Sequence, residues 1–175
     1  ALKYYIFDIR IYSRPVYDAT TEASRKIQIA GIKSLYNFAR IITRAFYFEF
    51  DHCFGFSSNL GGYYFPAEEK YELFVDIGEA SDAKSVKNTS VIKVFNQLKK
   101  KMQFLFDYGD SWHFETELIG FGEKEKNKKY PAVLKVKGEA PLQYPPDEQE
   151  TEESNEFLFD GCAIDEAVKN PNTSF

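Results

Sequence analysis

Apolar and polar residues alternate through residues 3–12, and this alternation constrains the fold more than any other feature of the sequence. The apolar positions are Tyr5, Phe7, Ile9 and Ile11. Asp8 and Arg10 fall between them, so they point to the opposite side of an extended chain. A period of two over this length predicts a β-strand with one buried face.

Aromatic residues are unusually frequent, with 17 Phe and 12 Tyr against one Trp and one Met. Aromatic side chains bury large areas and favour pleated surfaces, so this composition predicts a sheet with an aromatic-rich core. Further strands are predicted over residues 25–30, 48–56, 71–77, 102–106, 112–119 and 133–136.

Two segments are predicted to be helices packed on this sheet. After Gly31, apolar residues recur at spacings of three and four from Ile32 to Phe46, which is typical of an amphipathic helix. Ser90 is expected to be the N-cap of the second helix, and the lysines at 99–101 suit the negative end of its dipole. The sequence therefore predicts an α+β fold with a mostly antiparallel sheet and two main helices packed on it.

The length of 175 residues favours one domain. We expect residues 1–140 to form a single α+β domain. From residue 141 the composition shifts to Pro, Asp, Glu and Gln. Residues 141–175 are therefore predicted to be an acidic, Pro-rich linker with a short C-terminal helix, near residues 163–169, that packs on the same domain.

Cysteine usage and the N-terminus bear on the compartment. Cys53 and Cys162 are too few for a disulfide framework and fit no zinc spacing. The first residues lack the pattern of a signal peptide, and no apolar run approaches the roughly 20 residues that span a bilayer. We expect a cytoplasmic protein with no membrane partner and no cofactor.

The formal net charge of −5 disfavours general nucleic-acid binding, because such binding depends on neutralising phosphates. A local basic face remains open as a hypothesis. The clustered candidates are Arg40, Arg44, Lys99, Lys100 and Lys101. The three lysines are interpreted first as a helix terminus and only second as a binding patch.

The segment Asp-Tyr-Gly-Asp-Ser-Trp at residues 107–112 is the most distinctive motif of the chain. Asp107 with Gly109 two residues later is typical of a tight turn in which the carboxylate accepts a backbone N–H two residues further on. Trp112 would then anchor the outgoing strand in the core. A turn is the preferred interpretation of this motif.

The same segment has a chemical interpretation. Asp107 and Asp110, with His113 nearby and His52 from a remote strand, offer ligands for a hard or borderline metal ion. A metal site needs three or four converging ligands, so this interpretation is the weaker one.

His52 lies in an aromatic strand-like run, where a histidine is more often a hydrogen-bonded core residue than a ligand or a base. Adjacent residues on a strand point to opposite faces, so His52 is poorly placed to activate Cys53 as a nucleophile. The sequence contains no serine-triad signature, no phosphate-binding glycine loop and no dinucleotide fingerprint. No catalytic residue is assigned.

Several segments in order resemble a known family. The stretch Phe-Asp-Tyr-Gly-Asp-Ser-Trp at 106–112 resembles the Tyr-Asp-Phe-Gly-Asp-x-Trp signature of the plasmid pRiA4b ORF-3-like family. Residues 25–29 are similar to its Arg-Arg-Ile-x-Val strand, and residues 52–56 to its His-Leu-(His/Tyr)-x-Phe element. Tyr130-Pro131, Gly138-Glu139-Ala140 and Pro145-Pro146-Asp147 resemble parts of its Tyr-Pro … Gly-Glu-x-Ala-Cys-Pro-Pro-Glu-Asp stretch.

The resemblance implies a small prokaryotic protein with an α+β domain, a mostly antiparallel sheet and packed helices. Some members are labelled as passengers of insertion elements, and the family is one of unknown function. Members usually carry a histidine two residues after the tryptophan, where this chain has Phe114, with His113 on the opposite face of the strand. That departure weakens any metal or acid–base role built on the family histidine.

Three functional hypotheses follow. The leading one is a non-catalytic binding or interaction protein of unknown partner, favoured by the missing catalytic residues, by aromatic side chains expected to be exposed on strands, and by the acidic linker. The second is an accessory protein in nucleic-acid transactions of mobile elements. The third is a metal-dependent, hydrolase-like enzyme that uses Asp107, Asp110 and His52.

Overall fold

A computed structural model describes residues 2–13, 22–60 and 67–144. These residues form eight strands and three helices. In chain order they are β1 (Tyr4–Ser13), β2 (Ser24–Ala30), α1 (Leu35–Ala45), β3 (Phe54–Ser57), β4 (Lys70–Glu72), α2 (Leu73–Asp76), β5 (Lys84–Ser85), α3 (Val91–Val94), β6 (Lys101–Phe106), β7 (Trp112–Gly122) and β8 (Ala132–Lys137). The predicted C-terminal helix lies outside the described residues, as does the predicted linker from residue 145 onward.

The eight strands form one sheet in the order β5-β4-β3-β6-β7-β1-β2-β8. The pairing of β4 with β5 is parallel and the other six pairings are antiparallel, so the sheet is mixed. The fold belongs to the α+β class. In β1, Phe7 and Ile9 are fully buried while Asp8 is half-buried and Arg10 is exposed, as the alternation predicts.

Helix α1 covers one face of the sheet. It begins after Ser34, whose hydroxyl accepts the backbone N–H of Asn37 at 3.2 Å and so caps the helix. Phe38 is fully buried, and the centroid of its ring lies 4.5 Å from that of Phe7 in β1. Ile32, predicted to start the buried face of this helix, precedes it and is 65% exposed.

The second predicted helix is only one turn long, from Val91 to Val94. Phe95 ends it, because its ring turns into the core and lies 4.7 Å from that of Phe7. The prediction that three lysines close this helix is therefore wrong. Lys99 has a left-handed backbone (φ 66°), and Lys101 begins β6.

The strand predicted over residues 71–77 is also shorter than expected. Strand β4 ends at Glu72 and the chain turns into α2, since Leu73, Phe74 and Ile77 all pack against the core and share one helical face. Of the strand predicted over residues 48–56, only the part from Phe54 is extended in the sheet.

Arg25 connects the layers although it is 1% exposed. Its Nε donates to the carbonyl of Ala45 at the end of α1, at 2.8 Å. Its Nη1 donates to the carbonyls of Ser24 (2.8 Å), Lys137 (3.1 Å) and Gly138 (3.1 Å). A single guanidinium thus satisfies carbonyl groups of β2, of α1 and of the end of β8.

Most aromatic side chains of the described strands point into the core. Phe54, Phe56, Phe104, Phe106 and Phe114 are each at most 1% exposed. The sequence argument that rested on exposed strand aromatics is therefore wrong, because both the helices and the sheet contribute to one aromatic interior. In the described part of the chain, no helix has the length and apolar character needed to cross a membrane.

Candidate functional site

Asp107 forms a tight turn between β6 and β7. Its backbone is left-handed (φ 61°), and its Oδ1 accepts the backbone N–H groups of Gly109 at 3.0 Å and Asp110 at 3.1 Å. The N–H of Ser111 donates to the Asp107 carbonyl at 2.6 Å. These are the contacts expected of the turn interpretation, and they occupy one carboxylate oxygen of Asp107.

The other oxygen of Asp107 faces His52. Strand β3 pairs with β6 so that Phe54 lies opposite Phe106, and the N–H of Asp107 donates to the carbonyl of Cys53 at 2.9 Å. This pairing places His52, the residue before Cys53, against the β6–β7 turn. The Nε2 of His52 lies 3.5 Å from Asp107 Oδ2. The structure thus brings together two of the residues that the metal hypothesis combined.

Asp51 and Tyr144 complete the arrangement, which we call the His52 cluster: Asp51, His52, Asp107, Asp110 and Tyr144. The Nδ1 of His52 lies 2.7 Å from Asp51 Oδ1, and the Tyr144 hydroxyl donates to Asp51 Oδ2 at 2.6 Å. Gln143 holds the segment in place, since its Oε1 accepts the N–H of Glu49 at 2.6 Å. The His52 side chain remains 39% exposed, so it is not the core histidine that the sequence favoured.

The electrostatics of the cluster favour a protonated imidazole. Burial lowers the pKa of His52, whereas the hydrogen bond with Asp51 raises it. The negative charges of Asp107 and Asp110 raise it further, so the pKa of His52 lies above its ordinary value of 6.5. Burial raises the pKa of Asp51, but its hydrogen bonds with His52 and Tyr144 bring that pKa below its ordinary value.

Titration of the two histidines by nuclear magnetic resonance is expected to give pKa values on opposite sides of 6.5. The imidazole of His52 keeps its proton to a higher pH than a free histidine because carboxylates surround it. Burial lowers the pKa of His113, so that ring loses its proton at a lower pH. The measurement is the chemical shift of the imidazole protons from about pH 4 to about pH 9.

The substitution His52→Gln should remove the upper transition and leave the lower one. The stabilisation by His52 is fully present below the unfolded pKa of about 6.5 and is lost as the pH rises through the higher folded-state pKa. Urea unfolding should therefore separate wild type from His52→Gln more at about pH 6 than at about pH 9. Two coincident transitions near 6.5 would contradict the assignment.

His113, the remaining residue proposed as a metal ligand, does not join the His52 cluster. His113 is 3% exposed, and its Nδ1 contacts the side-chain amide of Gln103 on β6. Phe114, at the position of the family histidine, is fully buried in the core. In the described ranges, no group of three or more His, Cys, Asp or Glu side chains has an arrangement suited to a metal ion.

The cations proposed for a nucleic-acid face are partly neutralised. The Nζ of Lys100 lies 2.6 Å from Glu69 Oε1, and that of Lys101 lies 2.7 Å from Glu115 Oε1. Arg40 and Arg44 lie on α1, and Lys99 lies in the turn before β6. The five residues therefore do not form one uniformly basic patch.

Asp51, Gln143 and Tyr144 are the residues of this region that sequence reasoning missed. Gln143 and Tyr144 lie in the stretch predicted to be a poorly packed linker, yet Gln143 is only 8% exposed. Burial and the hydrogen bond to Asp51 raise the pKa of Tyr144, so its hydroxyl stays a donor. The sequence offered one signal that this stretch packs on the domain, namely the aromatic residue Tyr144 among mainly polar residues.

Cys53 is 4% exposed, and its sulfur is disulfide-bonded. It therefore offers no free thiolate to act as a nucleophile. A disulfide is more typical of an oxidising compartment than of the cytoplasm predicted from the sequence.

A pocket of about 660 Å³ lies on the other side of the sheet from α1, where β1, β2 and β8 run side by side. We call this side of β1, β2, β7 and β8 the open face. The pocket is lined by Asp8, Arg10, Ile11, Glu22, Ala23, Ser24, Lys26, Ile119, Lys135 and Lys137.

Comparison with known proteins places the chain in a family. The family model described as "Plasmid pRiA4b ORF-3-like protein" matches residues 15–160, which is most of the sequence. The chain belongs to this family. The ordered motifs at 25–29, 52–56 and 106–112 therefore do identify its relatives, as the sequence predicted.

A solved structure with a similar fold also belongs to a protein of unknown function. A protein of unknown function from Methanosarcina mazei Go1 is similar at a TM-score of 0.62 and 19% identity, over 80% of this chain and 72% of that chain. At this identity the likeness concerns the fold alone. No curated protein matches the chain.

Proposed function

We propose that this family member is a non-catalytic binding protein whose ligand occupies the open face of the sheet. The observation that carries the proposal is the contrast between the two faces. One is covered by α1 and an aromatic interior, whereas the other carries charged side chains and has a pocket of about 660 Å³. That volume is within the range of about 300–1,000 Å³ typical of small-molecule sites.

The His52 cluster supports binding rather than turnover. A general base needs an unprotonated nitrogen within reach of the proton that it removes. Here the Nδ1 of His52 lies 2.7 Å from Asp51 and its Nε2 lies 3.5 Å from Asp107, so both ring nitrogens already face carboxylates of the protein. We interpret the cluster as the structural support of the β6–β7 turn and of the segment around Tyr144.

A paired screen tests this function. Wild-type protein is expected to show thermal stabilisation by some members of a metabolite library, because a ligand that binds only the folded state raises its stability. The same library should show no turnover. Turnover that is lost in His52→Gln but kept in His113→Gln, the change at the other histidine, would contradict the proposal and support an enzyme.

A further inference from the structure

The pairing of β1, β2 and β8 brings four cations to the pocket on the open face. Lys26 of β2 lies opposite Asp8 on one side and Lys135 on the other. One row away, Ser24 lies opposite Arg10 and Lys137. Alternate residues of a strand share a face, so these six side chains form two adjacent rows on the open face. We call the site of Arg10, Lys26, Lys135 and Lys137 around Ser24 the basic pocket.

The basic pocket carries more positive charge than its own carboxylates neutralise. Four of its lining residues are cationic, and only Asp8 and Glu22 are acidic. Asp8 is engaged by Arg10, with 3.0 Å between Asp8 Oδ2 and Arg10 Nε. None of the ion pairs between described residues includes Lys26, Lys135 or Lys137.

Two of these cations, Lys26 and Lys135, repel each other when no anion is bound between them. Lys26 and Lys135 are directly opposite each other on neighbouring strands, and like charges in that position destabilise a sheet. A bound anion between them would relieve the repulsion. Lysine and arginine side chains are also the usual donors to phosphate oxygens, and the hydroxyl of Ser24 lies between Arg10 and Lys137 in the next row.

The rest of the lining suits the remainder of an organic ligand. Ile119 is 39% exposed among the lining residues, and it gives the pocket an apolar surface on which a sugar, base or hydrocarbon part can pack. Ile11 and Ala23 border the pocket, but their side chains belong to the buried core. Sites for small molecules typically combine such surfaces with a few polar groups.

The neighbouring strand argues for a small ligand over a polymer. On β7, Glu117 lies opposite Asp8 and Glu115 lies opposite Arg10. The next residue of each row is therefore a glutamate. A polyphosphate backbone that crosses the sheet would meet these two carboxylates, whose charge the single cation Lys101 neutralises only in part. The net charge of −5 acts in the same direction.

We infer that the basic pocket binds a small phosphorylated metabolite. Its phosphate lies between Lys26 and Lys135 of one row and Arg10 and Ser24 of the next. The inference rests on the proposed function, since it names the class of ligand for that binding site.

Calorimetric titration of the full chain with AMP, adenosine, pyrophosphate and inorganic phosphate, in about 0.15 M NaCl, tests the inference. AMP is expected to bind and adenosine is not. The two inorganic anions distinguish a free phosphate from a phosphate ester: binding of either anion as tightly as AMP would assign the pocket to the bare anion. All four failing to bind would overturn the inference, as would equal binding of adenosine and AMP.

Paired variants locate the site. The double change Lys26→Gln and Lys135→Gln should weaken binding at least about tenfold, because it removes two charge-assisted hydrogen bonds. The control, Lys33→Gln with Lys93→Gln, makes the same change in net charge at exposed residues elsewhere and should alter affinity less than about twofold. Undiminished binding by the first variant would overturn the assignment. Loss of the Lys26–Lys135 repulsion should leave that variant at least as stable as wild type in urea, which verifies that it folds.

Further outcomes separate this inference from the proposed function. A tricarboxylate such as citrate that binds in the pocket, while every phosphate compound fails, would overturn the phosphate assignment and leave the binding function intact. Hydrolysis of bound AMP would overturn the non-catalytic function and leave the ligand class intact. A single-stranded oligonucleotide that binds more tightly than AMP, and loses that binding in the double variant, would replace the small ligand with a nucleic acid.

Discussion

Replacement of Arg25 by Met is expected to lower the free energy of unfolding by about 4 kcal/mol, among the largest effects of any single change in this chain. The Met side chain fills much of the same volume but donates no hydrogen bond. The carbonyl of Ala45 then loses its donor in the buried interior, and the part-buried carbonyls of Lys137 and Gly138 lose theirs nearer the surface. Each unsatisfied buried carbonyl costs about 1–3 kcal/mol. Equilibrium unfolding in urea, monitored by the fluorescence of Trp112, measures the difference.

Two controls define the cause of this loss. Arg25→Lys keeps the charge but not the planar fork of donors, so its stability should fall between those of wild type and Arg25→Met. Arg10→Met removes an arginine that is 65% exposed at its side chain, and it should change stability by less than about 0.5 kcal/mol. If Arg25→Met and Arg10→Met had equal effects, the bridging role of Arg25 would be wrong.

The substitution Phe114→Ala is expected to cost about 4 kcal/mol, for a different reason. Phe114 is fully buried, with ring centroids 5.0 Å from Phe46, 5.5 Å from Phe104 and 6.1 Å from Phe48. Removal of the ring forfeits its transfer free energy and leaves a cavity between helix and sheet. The midpoint of urea unfolding at constant slope measures the loss.

The exposed Phe121 supplies the control, since Phe121→Ala at 41% exposure should cost less than about 1 kcal/mol. Phe114→His is the more informative companion, because it introduces at this position the histidine that the family resemblance led us to expect. Between the rings of Phe46 and Phe104 an imidazole would bury a polar group in aromatic surroundings, so we expect a loss of about 2 kcal/mol or more. A Phe114→His variant as stable as wild type would show that the position accepts a polar group.

The parts of the fold that the sequence predicted are those whose local pattern is strong. Tyr5, Phe7, Ile9 and Ile11 recur at every second residue, and the segment after Gly31 has an apolar face, so β1 and α1 both form, although α1 begins at Leu35 and excludes Ile32. The helix expected after Ser90 failed because Phe95 is needed in the core and leaves the helical path after one turn. In both cases the outcome depended on whether tertiary packing agreed with the local pattern.

The candidate sites were less predictable because they depend on strand order. Asp107 was expected to form a turn, but its contact with His52 requires the pairing of β3 with β6, which no local pattern specifies. The basic pocket was missed for the same reason. Lys26 and Lys135 are separated by most of the described chain, and each looks like an ordinary solvent-facing lysine on its own strand until β8 pairs with β2.

The place of β1 in the sheet also governs when the fold can form. β1 lies between β7 and β2, and Ile9 is paired with Thr116 in the first of these neighbours. The centre of the sheet therefore requires closure of a loop that contains most of the chain, and such closure slows folding relative to a protein with mainly local contacts. During synthesis, β1 and β2 can pair early as a hairpin, but the other edge of β1 stays unpaired until β7 leaves the ribosome. A nascent chain that ends before residue 112 should expose that unpaired strand edge and bind chaperones, whereas one that extends beyond residue 122 should not.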